Sequence, residues 1–194
     1  MASAPVLPGN LVKPIFGGHQ TFRELFRAIE AARDHVHLEF YILQDVRLPD
    51  TAGPSLFDLL HRKLRQGVAV NVVYDSFGSK DTPAEALDGL RAAGANLLSF
   101  NPVNPFEARG GWRPNRRDHR KIAIADGRVA GMGGVNLDHV YENSCRGARL
   151  NGPVENTDDA CWADIAIRVE GPAVAALQRL FLETWAKQGG GPLP

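Results

Sequence analysis

The stretch Asp118-His119-Arg120-Lys121-Ile122-Ala123-Ile124-Ala125-Asp126, continued through Gly127 to Gly133-Gly134-Val135-Asn136, decides how the rest of the chain is read. It carries His, Lys and Asp at the spacing H-x-K-x4-D, with G-G-x-N at a fixed offset beyond. Asp126-Gly127 is the dipeptide of a tight hairpin, so Lys121–Ala125 and Arg128–Met132 read as two antiparallel strands. Side chains alternate along a strand, which puts His119 and Lys121 on one face with their Cα atoms about 7 Å apart, room for one phosphate between them. A neutral imidazole is a nucleophile that needs no metal, and Lys121 can neutralise charge on non-bridging phosphate oxygens. Asn136 adds a neutral donor, while Gly133 and Gly134 let backbone approach an anion. By parity Asp126 falls on the opposite face from His119. It stays open whether Asp126 joins in catalysis or holds the turn and the geometry of the motif. A second carboxylate is then needed to orient the imidazole.

Downstream, Trp162 to Val169 alternates as a strand, with Asp164, Ala166 and Arg168 on one face, and Gly171-Pro172 opens a helix that Gly189-Gly190-Gly191 closes. Asp164 begins its strand on the polar side, where parity allows it to be the second carboxylate. Upstream, Thr21 to Glu24 reads as a capping box for a helix running to about Arg33 after a proline-rich lead. His35 to Leu43 alternates, with Val36, Leu38, Phe40 and Ile42 on one face and His35, His37, Glu39 and Tyr41 on the other. That second row reads as partly solvated, with Glu39 and Tyr41 as candidate cleft residues and no metal site. Ser55 caps a helix ended by Gly67, and Val68 to Asp75 is the nearly continuous apolar run of a buried parallel strand. Thr82-Pro83-Ala84-Glu85 opens another helix with proline at its first position, and Ala95 to Phe100 is the next strand. The order β-α-β-α-β implies right-handed crossovers and an α/β fold: a mixed, mostly parallel sheet sandwiched between helices. The segment Asp75 to Ser79 follows a strand's carboxyl end, where parallel sheets bind ligands.

The 194 residues suit one domain, 1–194, with 189–194 as a terminal tail or the start of a linker. At 44% hydrophobic and 23% charged residues, with no low-complexity run, the composition is that of a globular protein. The 22 basic and 22 acidic residues cancel, so there is no bulk attraction to nucleic acid, and a nucleic-acid partner is not expected. Local charge is another matter: Arg109, Arg113, Arg116, Arg117, Arg120 and Lys121 lie close in sequence to Trp112, a stretch that suits an anionic lipid head group at a membrane surface, equally a nucleic-acid backbone, or simply a solvated basic loop. Cys145 and Cys161 read as reduced thiols. No apolar run spans a bilayer and no signal peptide is recognisable, so nothing in this chain is expected to cross a bilayer, and the expected location is cytoplasmic or peripheral at a membrane.

The H-x-K-x4-D block, its G-G-x-N sequel and the preceding Asn115-Arg116-Arg117-Asp118 resemble the phospholipase D superfamily, in its cardiolipin synthase branch. The similarity runs from about Phe22 to Trp185 and takes in Glu39-Phe40-Tyr41, Tyr74 to Ser79, Trp162-Ala163-Asp164 and Gly171-Pro172. The resemblance implies His119, Lys121, Asp126 and Asp164 as catalytic residues, with Asp164 accepting a hydrogen bond from the imidazole. It implies Lys121, Asn136, Gly133 and Gly134 at the phosphate, an anionic phospholipid as substrate, a phosphohistidine intermediate, and neither cofactor nor metal. Such enzymes build one site from two motifs. This chain carries one and is most similar to an N-terminal half, so the resemblance implies a second motif from a homodimer partner or a missing C-terminal half. Two other readings remain at this point: a non-catalytic phosphate- or lipid-binding half-domain, and a phosphodiesterase or nuclease of the same superfamily.

Overall fold

A computed structural model describes residues 6–48, 52–102, 117–142 and 164–193. Trp112, the basic residues Arg109, Arg113 and Arg116, both cysteines and Trp162 lie outside these residues. The described residues form β1 (Leu11–Phe16), α1 (Gly18–Ala31), β2 (His35–Phe40), α2 (Leu56–Arg65), β3 (Ala69–Asp75), α3 (Ala84–Ala92), β4 (Asn96–Phe100), β5 (Lys121–Ala125), β6 (Val129–Gly133), β7 (Ile165–Glu170) and α4 (Ala173–Lys187). One seven-stranded sheet runs in the order β1-β7-β6-β5-β2-β3-β4.

β2, β3 and β4 are parallel and linked by α2 and α3, as the β-α-β-α-β pattern requires. The other four pairings are antiparallel, so the expected mixed sheet is parallel only in this part. The reason is local: the hairpin of β5 and β6 extends the sheet on the far side of β2, and antiparallel neighbours need no crossover helix. In the turn, Asp126 (φ 53°) and Gly127 (φ 62°) both adopt the left-handed conformation of a type I′ hairpin. β1 was not legible in the proline-rich lead. It pairs antiparallel with β7 at the sheet edge, where Pro14 costs little because an edge strand leaves some donors unpaired.

Other departures are small. α1 begins at Gly18 and has no side-chain cap; Thr21 Oγ1 donates back to the Gly17 carbonyl at 2.8 Å instead of closing a capping box. Pro83 sits at the N-cap of α3, one position earlier than expected. α2 is capped as read, by Ser55 and Asp58 reciprocally. β2 ends at Phe40, and among the described residues only an isolated bridge from Leu43 to Leu137 continues its line.

Two apolar layers hold the sheet. On one face Phe22, Phe26 and Ile29 of α1 and Leu56, Leu59 and Leu60 of α2 pack on Val36, Leu38, Val70 and Val72. On the other, Val174, Phe181 and Trp185 of α4 pack on Val73, Ile122, Ile124 and Val169. The row His37-Glu39 points into this second layer and is buried, a correction to the solvated row expected: periodicity shows that two faces differ, not which is covered. His37 stacks on Phe181, centroids 4.4 Å apart, and its Nδ1 pairs with Asn71 at 3.1 Å. Burial, with the His35 ring adding to it, lowers its pKa to about 4, so it is a neutral core residue. Among the described residues no helix is long and apolar enough to cross a membrane.

Candidate active site

β2 is the strand at which the sheet changes character, with crossovers on one side and the hairpin on the other. Open sheets bind ligands outside the carboxyl end of such a strand. Tyr41 follows that end of β2, and beside it lie His119, which leads into β5, the end of β6 at Gly133, and Asp164, which leads into β7.

The register brings the site's side chains to one face. Lys121 pairs with Phe40, and Gly133 with Ala166, so His119, Lys121 and Asp164 share the parity of the α1 face. The exposed His119 ring stacks on Tyr41 with centroids 4.2 Å apart and planes 14° from parallel. Lys121 Nζ donates to the His119 carbonyl at 2.7 Å and lies 5.6 Å from the Tyr41 ring centroid. Burial lowers the pKa of this ammonium, against the pull of Asp164 and Asp118, whose carboxylates raise it. Asn136 Oδ1 accepts from the Ile42 amide at 3.3 Å, and Tyr141 also hydrogen-bonds to Asn136. Burial and the Asp164 charge raise the Tyr141 phenol, which therefore stays protonated near neutrality. Sequence reasoning did not single out Tyr141; the pairing of Leu43 with Leu137 across the loops brings it in.

Asp164 reaches this cluster but, among the described residues, makes no hydrogen bond to the His119 ring. Its Oδ1 accepts from the Ile165 amide at 2.9 Å while the imidazole lies flat on Tyr41. Such bonds in unliganded sites often close only around substrate. Asp126 is elsewhere. It lies past the far end of β5, roughly 20 Å along the strand from His119 at a rise of about 3.3 Å per residue. There its carboxylate accepts from the amides of Arg33 (2.9 Å), Asp34 (2.9 Å) and His35 (3.0 Å). Burial would raise its pKa, but these three donors outweigh that and hold the carboxyl below its ordinary range.

The two glycines are explained by the protein's own packing. A Cβ on Gly133 would lie 2.4 Å from the Ile165 carbonyl, and one on Gly134 would lie 1.9 Å from Asp164 Oδ1. The described part of the basic stretch is also less free than it reads. Arg117 Nη1 donates to Ser76 Oγ (3.2 Å) and the Asn101 carbonyl (3.0 Å), 3.6 Å from the buried Asp75, and Arg120 Nη1 binds Glu39 Oε1 at 2.9 Å. Glu39 is therefore no cleft residue: it lies beneath α4, on the opposite face from His119. Among the described residues no cluster of His, Cys, Asp or Glu could hold a metal.

The cardiolipin synthase PLD-like domain model matches residues 25–146. Over 187 residues the chain is 34% identical to cardiolipin synthase 1 of Bacillus cereus, covering 96% of this chain and 33% of that protein. Over 185 residues it is 37% identical to a cardiolipin synthase A of Pseudomonas putida, covering 93% and 34%. The chain thus spans about a third of the length of these relatives. The fold is also that of the phospholipase D family member Nuc from Salmonella typhimurium, with TM-score 0.60 and 16% identity, covering 93% of this chain and 96% of that one. The chain belongs to the phospholipase D family, among the PLD-like domains of cardiolipin synthases.

Proposed function

We propose that this domain transfers or hydrolyses phosphatidyl groups of anionic phospholipids, with His119 as a reacting imidazole and a second motif facing it. The observation that carries this reading is the convergence of His119, Lys121, Asn136 and Asp164 on one rim of the sheet. In the first half-reaction an imidazole nitrogen attacks phosphorus, the P–O bond to the leaving alcohol breaks, and that alkoxide takes a proton from a second imidazole. In the second half-reaction the now neutral second imidazole accepts a proton from the incoming alcohol or water, whose oxygen displaces the P–N bond. Lys121 neutralises the non-bridging oxygens. The Asn136 amide NH2 donates to them, with Oδ1 held by Ile42, and Asp164 fixes the imidazole tautomer once the ring turns from Tyr41.

One imidazole cannot stand on both sides of the phosphorus, so the site needs a second motif, from a homodimer partner or a second half. The names of the relatives support a phosphatidylglycerol hydroxyl as acceptor, and a lipid substrate places the domain at a membrane surface. The test is incubation with phosphatidylglycerol vesicles, with and without added glycerol, followed by lipid analysis. Expected are cardiolipin or phosphatidic acid, formed equally well after chelator treatment. Activity destroyed by a chelator and restored by a divalent metal would contradict the phosphohistidine route.

A further inference from the structure

His119 precedes the ladder. The first β5–β2 pair is Lys121 with Phe40, so no strand partner fixes His119 itself. Its neighbours are fixed instead by carboxylates on the other face. The Asp118 amide donates to Asp75 Oδ2 at 3.1 Å, and the Arg120 amide donates to Asp118 Oδ1 at 3.1 Å. The Arg120 guanidinium bridges Glu39 Oε1 and Thr184 Oγ1, tying the segment to β2 and α4. Glu39 is 0% exposed; its Oε1 accepts from Arg120, and among the described residues the Asp118 carboxyl is the one group placed to share a proton with it. A fully buried carboxyl is costly, and a purely structural anchor for an arginine could be an amide or hydroxyl.

We propose that Glu39 is a positioning residue for His119, acting through Arg120, and that its carboxyl works in the neutral, protonated form. This rests on the reading of His119 as the reacting imidazole and goes beyond it. Burial first, then the neighbouring Asp118 carboxylate, raises Glu39 to about 8, against Arg120, which lowers it. The groups facing it are Asp118 and Arg120 from the β5 approach and Thr184 from α4. Asp75 on β3, held by Arg117, and the neutral His37 lie on the same face. As pH rises through about 8, Glu39 becomes a second negative charge beside Asp118: the shared proton is lost and the two carboxylates repel while the Arg120 contact tightens, which shifts the segment that carries His119.

The test has two arms. In the first, independent of turnover, the His119 ring resonance of the intact chain is followed by NMR across pH 6–10. Expected is an inflection near pH 8 in addition to the imidazole's own titration, absent in Glu39→Gln, which keeps an acceptor for Arg120. A wild-type curve with no such inflection, or one that persists in Glu39→Gln, overturns the proposal. In the second, kinetic arm, the Arg120→Met variant should lower kcat at least tenfold with KM changed less than twofold. In Glu39→Gln, activity should keep the wild-type level at pH 7 and lose the alkaline decline near pH 8. A folded Arg120→Met with wild-type kcat also overturns it. Absence of turnover in the wild type would instead count against the proposed function and leave the NMR arm decisive.

Discussion

Asp126 accepts hydrogen bonds from three consecutive amides at the α1–β2 junction while itself in a left-handed conformation, an unusual concentration of constraint on one carboxylate. Asp126→Ala removes all three acceptor contacts and should destabilise the chain by about 1–3 kcal/mol, measured by urea unfolding at pH 7. Its distance from His119 leads us to expect unchanged kcat for the folded fraction. The pH dependence has a definite sign. The folded carboxyl titrates below its unfolded value of about 3.9, so its contribution is present above that pH and is lost as pH falls through the folded pKa. The stability gap between wild type and Asp126→Asn should therefore narrow on going from pH 7 to pH 3. Gly134 gives the opposite case, a residue whose missing side chain matters. Gly134→Ala drives a methyl into Asp164 Oδ1, and a loss of at least tenfold in turnover with the fold kept by circular dichroism is expected.

Among the elements, β6 has slack. A small apolar cavity of about 50 Å³ lies between α1 and β5–β7, lined by Phe22, Leu25, Ala123, Gly131 and Ala166 among others. It is too small for an acyl chain, well under the roughly 150 Å³ that admits a benzene-sized guest. A Cβ on Gly131 would meet nothing within 4 Å, and its φ is not in the left-handed region. Gly131→Ala should then raise stability by about 0.5–1 kcal/mol, seen as a higher Tm. What was legible in the sequence follows the same local logic. The hairpin at Asp126-Gly127, the cap at Ser55 and the crossover strands are carried by residues next to each other in the chain. β1 was hidden because Pro14 signals a loop unless the sheet edge is known. Glu39 and Arg120 share a face, and strand parity allows their pairing, but only α4 folding over them decides that this face is interior. Strand parity puts Asp126 and His119 on opposite faces, whereas what keeps them apart in the structure is the length of β5.

At the scale of the whole molecule, the exposed flank beside Asp164 is apolar. Phe16 and Ile165, paired across β1 and β7, are 64% and 55% exposed. On the proposed reading, in which a second imidazole faces His119, this flank is the surface that a second copy or a further domain would cover. Light scattering of the isolated chain should report association, and lipid turnover should follow the associated fraction. A strictly monomeric chain working at a normal enzymatic rate would rule out the half-site.

The central claim is that His119 reacts with the phosphodiester, and replacing it by alanine in the phosphatidylglycerol assay tests that most directly. His119 is exposed and outside the ladder, so the variant should fold and associate as the wild type does. Expected is a fall in lipid turnover of at least a thousandfold with unchanged Tm and association state. A folded, associated His119→Ala protein that keeps a tenth or more of the wild-type rate would contradict the claim.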